Sequence, residues 1–285
     1  MILVGTEHGV SELDGAPLLT GHRAVWLDAR SVLTDGGDVV EIAPGGGTLT
    51  HVDDATCFAR TQRGLFVGTA RAHLVRDGGV VESFDGVPGR DDWYTPWGGP
   101  PDTRSIAEAA DGSLHVNVHV GGIPRSRDGG ETWQPTIDVD ADVHQVLAHP
   151  TDPKLILAAG AIGLCVSRDG GDSYDALTDG LHSTYARAVA IAGDVVLVTA
   201  STGPRGGRAA VYRTIIAMDQ PFERCTDGLP DWFDDNIDTG CLSALDDTAV
   251  FGTVDGEVYV SQDAGSTWER AASGLPPVRA VAIGY

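Results

Sequence analysis

The sequence predicts an all-β fold, a seven-bladed β-propeller whose blades are four-stranded antiparallel sheets. Three observations predict it: a turn motif occurs three times, short apolar segments recur at a regular spacing, and the two ends of the chain match strands of one blade. Six blades is the alternative, if residues 22–51 do not form a complete blade. We expect a single domain over residues 1–285, because all-β domains of this length are common as one unit.

The turn motif has the pattern Ser-x-Asp-x-Gly-x-Thr/Ser-aromatic and lies each time between two apolar runs, as a hairpin turn does. Glycine permits the positive φ of a tight turn, and Asp and Ser side chains can bond backbone groups within it. We therefore interpret the three Asp residues as structural rather than catalytic. The motif residues are Ser126, Asp128, Gly130 and Trp133; Ser167, Asp169, Gly171 and Tyr174; and Ser261, Asp263, Gly265 and Trp268.

The spacing of the motif predicts the number of blades. Asp169 follows Asp128 by 41 residues, and Asp263 follows Asp169 by 94, which leaves room for one repeat without the motif. Repeats of about 40–50 residues suit four short strands. The predicted blades are residues 22–51, 55–87, 103–137, 143–181, 186–230 and 239–276, with residues 1–20 and 278–283 completing a seventh blade together.

Three insertions interrupt the repeats. Residues 91–102 and 231–238 join one blade to the next, and residues 201–208 link the second and third strands of a blade. In a propeller these two kinds of loop emerge on the same face. Because function concentrates in loops on rigid scaffolds, we expect the binding site on that face.

The turn motif resembles the Asp-box, or BNR repeat, of β-propeller sialidases, xyloglucanases, sortilin-type receptors and photosystem II assembly factors. The resemblance implies that these turns lie away from the ligand site. It does not extend to the sialidase Arg-Ile-Pro motif, since the only approach to it is Gly122-Ile123-Pro124-Arg125. The organisation is most similar to seven-bladed photosystem II assembly or stability factors, whose arginine-rich face binds a partner protein.

The candidate ligand-binding residues lie at the starts of the first strands and in the insertions. Arginine suits bidentate capture of carboxylate or phosphate, and aromatic side chains would form the walls. The alternative is that each arginine pairs with a neighbouring carboxylate such as Asp102 or Asp238. The candidates are Arg23, Arg104, His144, Arg187 and Arg279, with Trp93, Tyr94, Trp97 and Trp232. No catalytic residue is predicted.

Composition narrows the possible partners. The net charge is −22 and Lys154 is the only lysine, so nucleic acid and anionic membranes are not expected partners. No apolar run approaches the roughly 18 residues of a membrane helix, and no signal peptide is evident, so we expect a cytoplasmic protein. The acidity favours a salt-accumulating halophile, in which salt screens the charges, with a GC-rich genome as the alternative.

We predict no metal site and no cofactor. The four cysteines, Cys57, Cys165, Cys225 and Cys241, form no Cys-x-x-Cys pattern, and the nine histidines are dispersed. We expect the cysteines to be buried free thiols.

These observations favour a monomeric binding or assembly scaffold that holds a protein partner, or a small anionic or carbohydrate ligand, at an arginine- and aromatic-lined channel mouth. The alternative is a sialidase-like glycoside hydrolase or lyase. Such an enzyme needs two carboxylates about 5–10 Å apart. The acidic residues near the expected mouth that could supply them are Asp102, Asp234, Asp235 and Asp238.

Overall fold

The chain folds as a seven-bladed β-propeller of four-stranded antiparallel sheets. The computed structural model describes residues 1–43, 45–218 and 220–284. Two compact units make up the chain: the first unit contains Met1–Leu49 and Thr178–Tyr285, and the second unit contains Thr50–Leu177. The prediction of seven blades is confirmed, and the alternative of six is wrong because residues 22–51 do form a complete sheet.

The first three blades follow the predicted ranges closely. Blade 1 contains β1 (Ile2–Thr6), β2 (Gly9–Glu12), β3 (Pro17–Thr20) and the last strand of the chain, β28 (Val278–Ile283). Blade 2 contains β4 (Ala24–Leu27), β5 (Ser31–Thr34), β6 (Asp38–Glu41) and β7 (Thr48–His51). Blade 3 contains β8 (Ala55–Thr61), β9 (Gly64–Thr69), β10 (Leu74–Arg76) and β11 (Gly79–Val80).

The remaining four blades have the same strand order. Blade 4 contains β12 (Thr103–Glu108), β13 (Leu114–Val118), β14 (Pro124–Ser126) and β15 (Gln134–Pro135). Blade 5 contains β16 (Val143–Ala148), β17 (Ile156–Gly160), β18 (Gly163–Ser167) and β19 (Asp175–Leu177). Blade 6 contains β20 (Tyr185–Ala192), β21 (Val195–Ser201), β22 (Ala210–Thr214) and β23 (Glu223–Arg224). Blade 7 contains β24 (Leu242–Leu245), β25 (Thr248–Gly252), β26 (Val258–Ser261) and β27 (Glu269–Ala272).

Helical segments are short and lie between strands. The α-helix α1 spans Glu82–Asp85, and 3-10 turns span Arg90–Asp92, Val139–Ala141 and Ile216–Met218. The repeat pattern predicted none of them. Helix α1 follows the two-residue strand β11, and its Phe84 is fully buried.

Blade 1 is assembled from both ends of the chain, as predicted. Strand β28 pairs antiparallel with β1, with Leu3 opposite Ala282 and Val4 opposite Val281. The amino group of Met1 also donates a hydrogen bond to the carbonyl oxygen of Gly284 at 2.9 Å. The N-terminal strand therefore has a partner on each side, because β2 covers its other edge.

The sheets are buried at their inner strands and exposed at their outer ones. Every residue of β13, β17 and β21 is buried, which requires both faces of those strands to be covered by neighbouring structure. Strands β15 and β27 are mostly exposed. In the first unit, Phe251 packs against Trp268 and Phe233 with ring centroids 4.9 and 5.5 Å apart, so the aromatic of the third turn motif lies in the core between blades 6 and 7.

Candidate binding site

In the first unit, the insertion after blade 6 packs against the loop between β21 and β22. Ala209 and Phe233 pair as an isolated bridge, and the amide of Gly207 donates to the carbonyl of Asp234 at 2.6 Å. The side-chain amide of Asn236 donates to the carbonyl of Pro204 at 3.2 Å. The two insertions that the sequence placed on one face therefore form one hydrogen-bonded surface.

The second unit repeats this arrangement with its own insertion. The amide of Tyr94 donates to the carbonyl of Val120 at 3.3 Å, and the amide of His119 donates to the carbonyl of Asp102 at 2.9 Å. Both hydrogen bonds join residues 91–102 to the turn after β13. Loops between blades and loops between second and third strands thus lie side by side in each unit.

Two of the three candidate arginines in the first unit are held by carboxylates. Arg187 donates from Nε and Nη2 to Oδ1 of Asp238, at 2.8 and 2.6 Å. Burial opposes the charge on Arg187, but Asp238 outweighs it and raises the pKa of the guanidinium. Arg279 forms an ion pair with Glu7, and its hydrogen bond lowers the pKa of that carboxyl. Arg23 is exposed.

In the second unit, Arg104 belongs to a network of two aspartates and two histidines. Arg104 lies 3.4 Å from Asp102 and 2.9 Å from Nδ1 of His119. His119 is almost fully buried, and its two ring nitrogens lie 3.2 Å from Asp102 and 3.3 Å from Asp142. His144, which is fully buried, lies 3.7 Å from Asp142. The network connects the starts of blades 4 and 5.

The pKa values within this network follow from its pairing. Burial lowers the pKa of His119, but the hydrogen bonds to Asp102 and Asp142 outweigh that effect and raise it. Burial alone would raise the pKa of Asp142, yet the hydrogen bonds and charges of His119 and His144 hold it well below its usual range. His119 and Arg104 lower the pKa of Asp102 in the same way. The two aspartates are therefore ionised at neutral pH.

The candidate aromatic residues occupy different environments. Tyr94 and Trp97 are exposed, with 47% and 67% of their surfaces accessible. Trp93 is instead 7% exposed and packs against Phe84, 5.9 Å between ring centroids, with the guanidinium of Arg90 over its ring. Trp93 was expected to form a wall of the mouth, but α1 covers it and makes it a core residue.

Trp232 is the centre of a cluster that the sequence did not predict. The guanidinium carbons of Arg208 and Arg224 each lie 4.3 Å from the centroid of its ring. The ring of His182 lies 4.7 Å away, and Nδ1 of His182 is 2.5 Å from the hydroxyl of Tyr212. We call Arg208, Arg224, Trp232 and His182 the Trp232 cluster. Trp232 was a candidate from the sequence and Arg208 lies in the 201–208 insertion, but no pattern indicated that Arg224 and His182 join them.

The three predicted turns share one set of hydrogen bonds. In the first, both the hydroxyl of Ser126 and the amide of Thr132 donate to Oδ1 of Asp128, at 2.7 and 2.9 Å. The hydroxyl of Thr132 donates to Oδ2 at 2.6 Å, and the amide of Gly130 donates to the Ser126 oxygen at 2.8 Å. The same bonds occur around Asp169 and Asp263. Every Asp oxygen thus faces its own turn.

These hydrogen bonds also lower the pKa of the turn aspartates and so favour their ionised form. The Thr132 hydroxyl is the main cause that lowers the pKa of Asp128, and the Ser173 hydroxyl does the same for Asp169. The Thr267 amide is the main cause for Asp263. Blade 3 has a related sequence, Arg76-Asp77-Gly78-Gly79, between β10 and β11, but there Asp77 accepts a hydrogen bond from the amide of Leu65 on the adjacent strand.

Arginines link consecutive turns within the second unit. Arg76 of blade 3 donates to the carbonyl of Gly129 in blade 4 at 3.2 Å. Arg125 of blade 4 donates to the carbonyl of Gly170 in blade 5 and to Asp172, both at 2.7 Å. The turns therefore join neighbouring blades as well as closing their own hairpins.

Other kinds of site were also considered over residues 1–43, 45–218 and 220–284. No group of three or more His, Cys, Asp or Glu side chains there could hold a metal ion. No helix in that part of the chain is long and apolar enough to cross a membrane. All four cysteines are buried free thiols, as predicted.

Comparison with known proteins identifies structural neighbours and no family. No family model and no curated protein matches the chain. The GH74 xyloglucanase from Xanthomonas campestris matches with a TM-score of 0.59 and 15% identity over 89% of this chain and 46% of its own. The WD40 domain of Neurospora crassa Pan2 matches with a TM-score of 0.59 and 10% identity over 90% of this chain and 80% of its own.

The GH74 likeness covers only part of those enzymes. An ancestral GH74 enzyme matches with a TM-score of 0.49 and 17% identity over 60% of this chain and 24% of its own. The chain thus spans a quarter to under half of the GH74 proteins it resembles. At these identities the likeness concerns the fold alone.

Proposed function

We propose that this chain is a monomeric, cytoplasmic binding propeller of the Asp-box type, which holds a partner protein on its insertion loops and catalyses no reaction. The single observation that carries the proposal is the engagement of the charged groups at the starts of the inner strands. Arg104, Arg187 and Arg279 each pair with a carboxylate. They are therefore occupied in holding the loops and are not arranged as a free set for a substrate anion.

The state of the carboxylates supports binding over glycoside hydrolysis. A glycosidase needs one carboxylic acid with a raised pKa to protonate the leaving group. The pKa values of Glu7, Asp102 and Asp142 are lowered. Among the acidic residues of the described ranges whose pKa is shifted, none is raised.

The exposed aromatics support a protein partner. Tyr94 and Trp97 lie on an insertion that is hydrogen-bonded to the neighbouring turn. Large aromatic side chains supply much of the binding energy at protein interfaces, because they bury area with few rotatable bonds. Outside an interface, two such rings in one loop would only increase the apolar surface exposed to water.

Two measurements test the proposal. First, the protein is incubated with xyloglucan and with sialyllactose, and released reducing ends and free sialic acid are measured beside a D102N/D142N variant. We expect no release above a blank without protein from either wild type or the variant. Sugar release that the double substitution abolishes would overturn the proposal in favour of an enzyme.

Second, immobilised protein captures partners from a lysate of its own cells. We expect a retained protein that is lost from a Y94A/W97A variant and kept by an L18A variant. Leu18 is the control because it is also an exposed apolar residue, 44% accessible, outside the insertions. Equal retention by all three proteins would place the interaction elsewhere and contradict the proposed surface.

A further inference from the structure

The Trp232 cluster carries two positive charges that form no direct ion pair within the described part of the chain. In residues 1–43, 45–218 and 220–284, neither Arg208 nor Arg224 forms an ion pair with an aspartate or glutamate. Arg224 donates one hydrogen bond, from Nη1 to the backbone carbonyl of Asp231 at 2.9 Å. Arg187 and Arg279, in the same unit, each have a carboxylate partner. In a chain of net charge −22, these two guanidiniums concentrate positive charge on one indole, beside the exposed Asp231, Asp234 and Asp235.

The backbone holds Arg208 in a conformation that arginine disfavours. Its φ is 51°, in the left-handed region, two residues before β22 begins. In blade 7, Gly256 occupies the corresponding position, two residues before β26, with a φ of 78°. The turn therefore needs a left-handed residue, and glycine satisfies that need without strain. In blade 3, Ala72 occupies the same position with a φ of 49°, so the turn itself imposes this conformation, and a glycine in place of Arg208 should fit it.

The rest of the cluster is incomplete in its hydrogen bonding. Nε2 of His182 has no hydrogen-bond partner, although it is shielded from solvent. Trp232 is half-buried and Arg208 is exposed, so a ligand can reach both. The hydrogen bonds between the two insertions hold Arg208 beside Trp232, whereas Arg224 is held by the carbonyl of Asp231 and His182 by the hydroxyl of Tyr212.

We propose that the Trp232 cluster binds a carboxylate side chain of an acidic segment on the partner protein. This inference rests on the proposed binding function and names the chemistry of the partner. Arginine forks hold carboxylates through paired hydrogen bonds, and Trp and Arg are the residues most often found at interface hot spots.

A carboxylate fits this surface better than a phosphate group does. Asp231, Asp234 and Asp235 lie exposed in the adjoining insertion, where they repel an approaching anion. A phosphate monoester carries a charge of about −1.5 to −2 and is repelled more strongly than a carboxylate of charge −1. The acidic surroundings therefore favour a segment that places a single carboxylate at the cluster over one that places a phosphate there.

The test uses the full chain and a fluorescein-labelled hexaglutamate peptide, with labelled hexaglutamine as the neutral control. Binding is followed by fluorescence anisotropy at about 150 mM NaCl, where a Debye length of about 8 Å screens the long-range repulsion between the two acidic molecules. We expect wild-type protein to bind hexaglutamate and not hexaglutamine. We expect R208G and R224Q each to weaken binding by about tenfold or more, whereas R205Q changes it by less than about twofold.

The variants separate binding from folding. Arg205 is the matched control because it is exposed in the same insertion and lies outside the cluster. R208G should keep or raise the melting temperature, because glycine relieves the left-handed strain, so its loss of binding would not reflect unfolding. Equal losses in R205Q and R208G would overturn the inference, as would undiminished binding by both R208G and R224Q.

Two further results would overturn it. One is no detectable binding of hexaglutamate by wild type. The other is tighter binding of inorganic phosphate, measured by competition, than of the peptide. Neither result bears on the proposed function, which depends on partner capture through Tyr94 and Trp97 and on the lack of sugar release. If a partner is captured but hexaglutamate does not bind, the proposed binding function is retained and only the proposal of an acidic partner segment is wrong.

Discussion

Arg187 directs two nitrogens of its guanidinium at a single oxygen of Asp238, with Nε 2.8 Å and Nη2 2.6 Å from Oδ1. The arginine lies near the start of β20, and the aspartate ends the insertion before blade 7. Arg187 is 19% exposed and Asp238 is 48% exposed at the side chain. The ion pair thus anchors an inserted loop to the inner strand of a blade.

Removal of Asp238 should destabilise the protein more than removal of a neighbouring acid. D238A leaves the largely buried charge of Arg187 without its acceptor, and we expect a loss of about 1–2 kcal/mol in the free energy of unfolding. D235A, in the same exposed insertion, should change it by less than about 0.5 kcal/mol. Urea denaturation measures both. Equal effects would show that the ion pair does not anchor the loop.

His119 should stabilise the protein at mildly acidic pH. Its pKa is raised in the folded state, so its contribution is complete below the unfolded pKa of about 6.5 and is lost as pH rises through the folded value. The groups that face it are Asp102, Asp142 and Arg104, with His144 beside Asp142. H119Q keeps a polar side chain but does not titrate.

We therefore expect the difference in unfolding free energy between wild type and H119Q to shrink as pH rises from about 6 to about 8.5. Thermal or urea unfolding at several pH values provides the measurement. A difference that stays constant would mean that the proton on His119 does not contribute to folding.

His115 should stabilise the protein at neutral pH and lose that effect in acid, the reverse of the behaviour expected of His119. Burial, then the charge of Arg125, lowers its pKa to about 4. Its contribution is complete above the unfolded pKa of about 6.5 and is lost as pH falls toward the folded value, up to about 3 kcal/mol. H115Q should therefore lose less stability than wild type between about pH 6.5 and pH 4. A steeper loss in H115Q would contradict the assignment of a neutral buried imidazole.

The turn aspartates should matter for stability and leave binding unchanged. D128A removes the acceptor for the Ser126 hydroxyl and for both the amide and hydroxyl of Thr132. We expect the melting temperature to fall by a few degrees, with hexaglutamate affinity unchanged. E131A is the control in the same turn, since the turn uses only its backbone amide. A loss of affinity in D128A would place the turn at the binding site.

The thiols should be unreactive in the folded protein. Burial raises the pKa of Cys57 and Cys241 to about 12, and of Cys165 and Cys225 to about 11. Because the thiolate is the reactive form, Ellman's reagent at about pH 8 should label fewer than one thiol per chain. All four should react in guanidinium chloride. Rapid labelling of one cysteine under native conditions would reveal an opening that the structure lacks.

The repeat pattern predicted the blades because turn chemistry and strand alternation are local properties. It even predicted blade 6, where the motif is absent, from the apolar run at Val195–Ser201. The pairing of β28 with β1 followed from matching the two ends to strands of one blade. Asp77 shows the limit of motif matching. Its tetrapeptide Arg76-Asp77-Gly78-Gly79 is similar to the turn motif, yet its carboxylate accepts a hydrogen bond from another strand and not from its own turn.

The candidate site was harder to predict because its contacts join distant segments. Asp102, His119 and Asp142 belong to two blades and meet only through the packing of their loops. Trp93 and Trp97 are four residues apart, yet one is buried under α1 and the other is exposed. Arg208 approaches Trp232 because two insertions pair with each other, which no spacing in the sequence indicates.

The pairing of β1 with β28 has a consequence for synthesis on the ribosome. Strands β1–β3 are made before the rest of the propeller, but the innermost strand of their sheet, β28, is made more than 250 residues later. Until β28 is made, the backbone groups of Leu3 and Val4 that pair with it have no hydrogen-bond partner, even while blades 2–7 form. A nascent chain stalled before Val278 should therefore be the species most prone to aggregation and most in need of a chaperone.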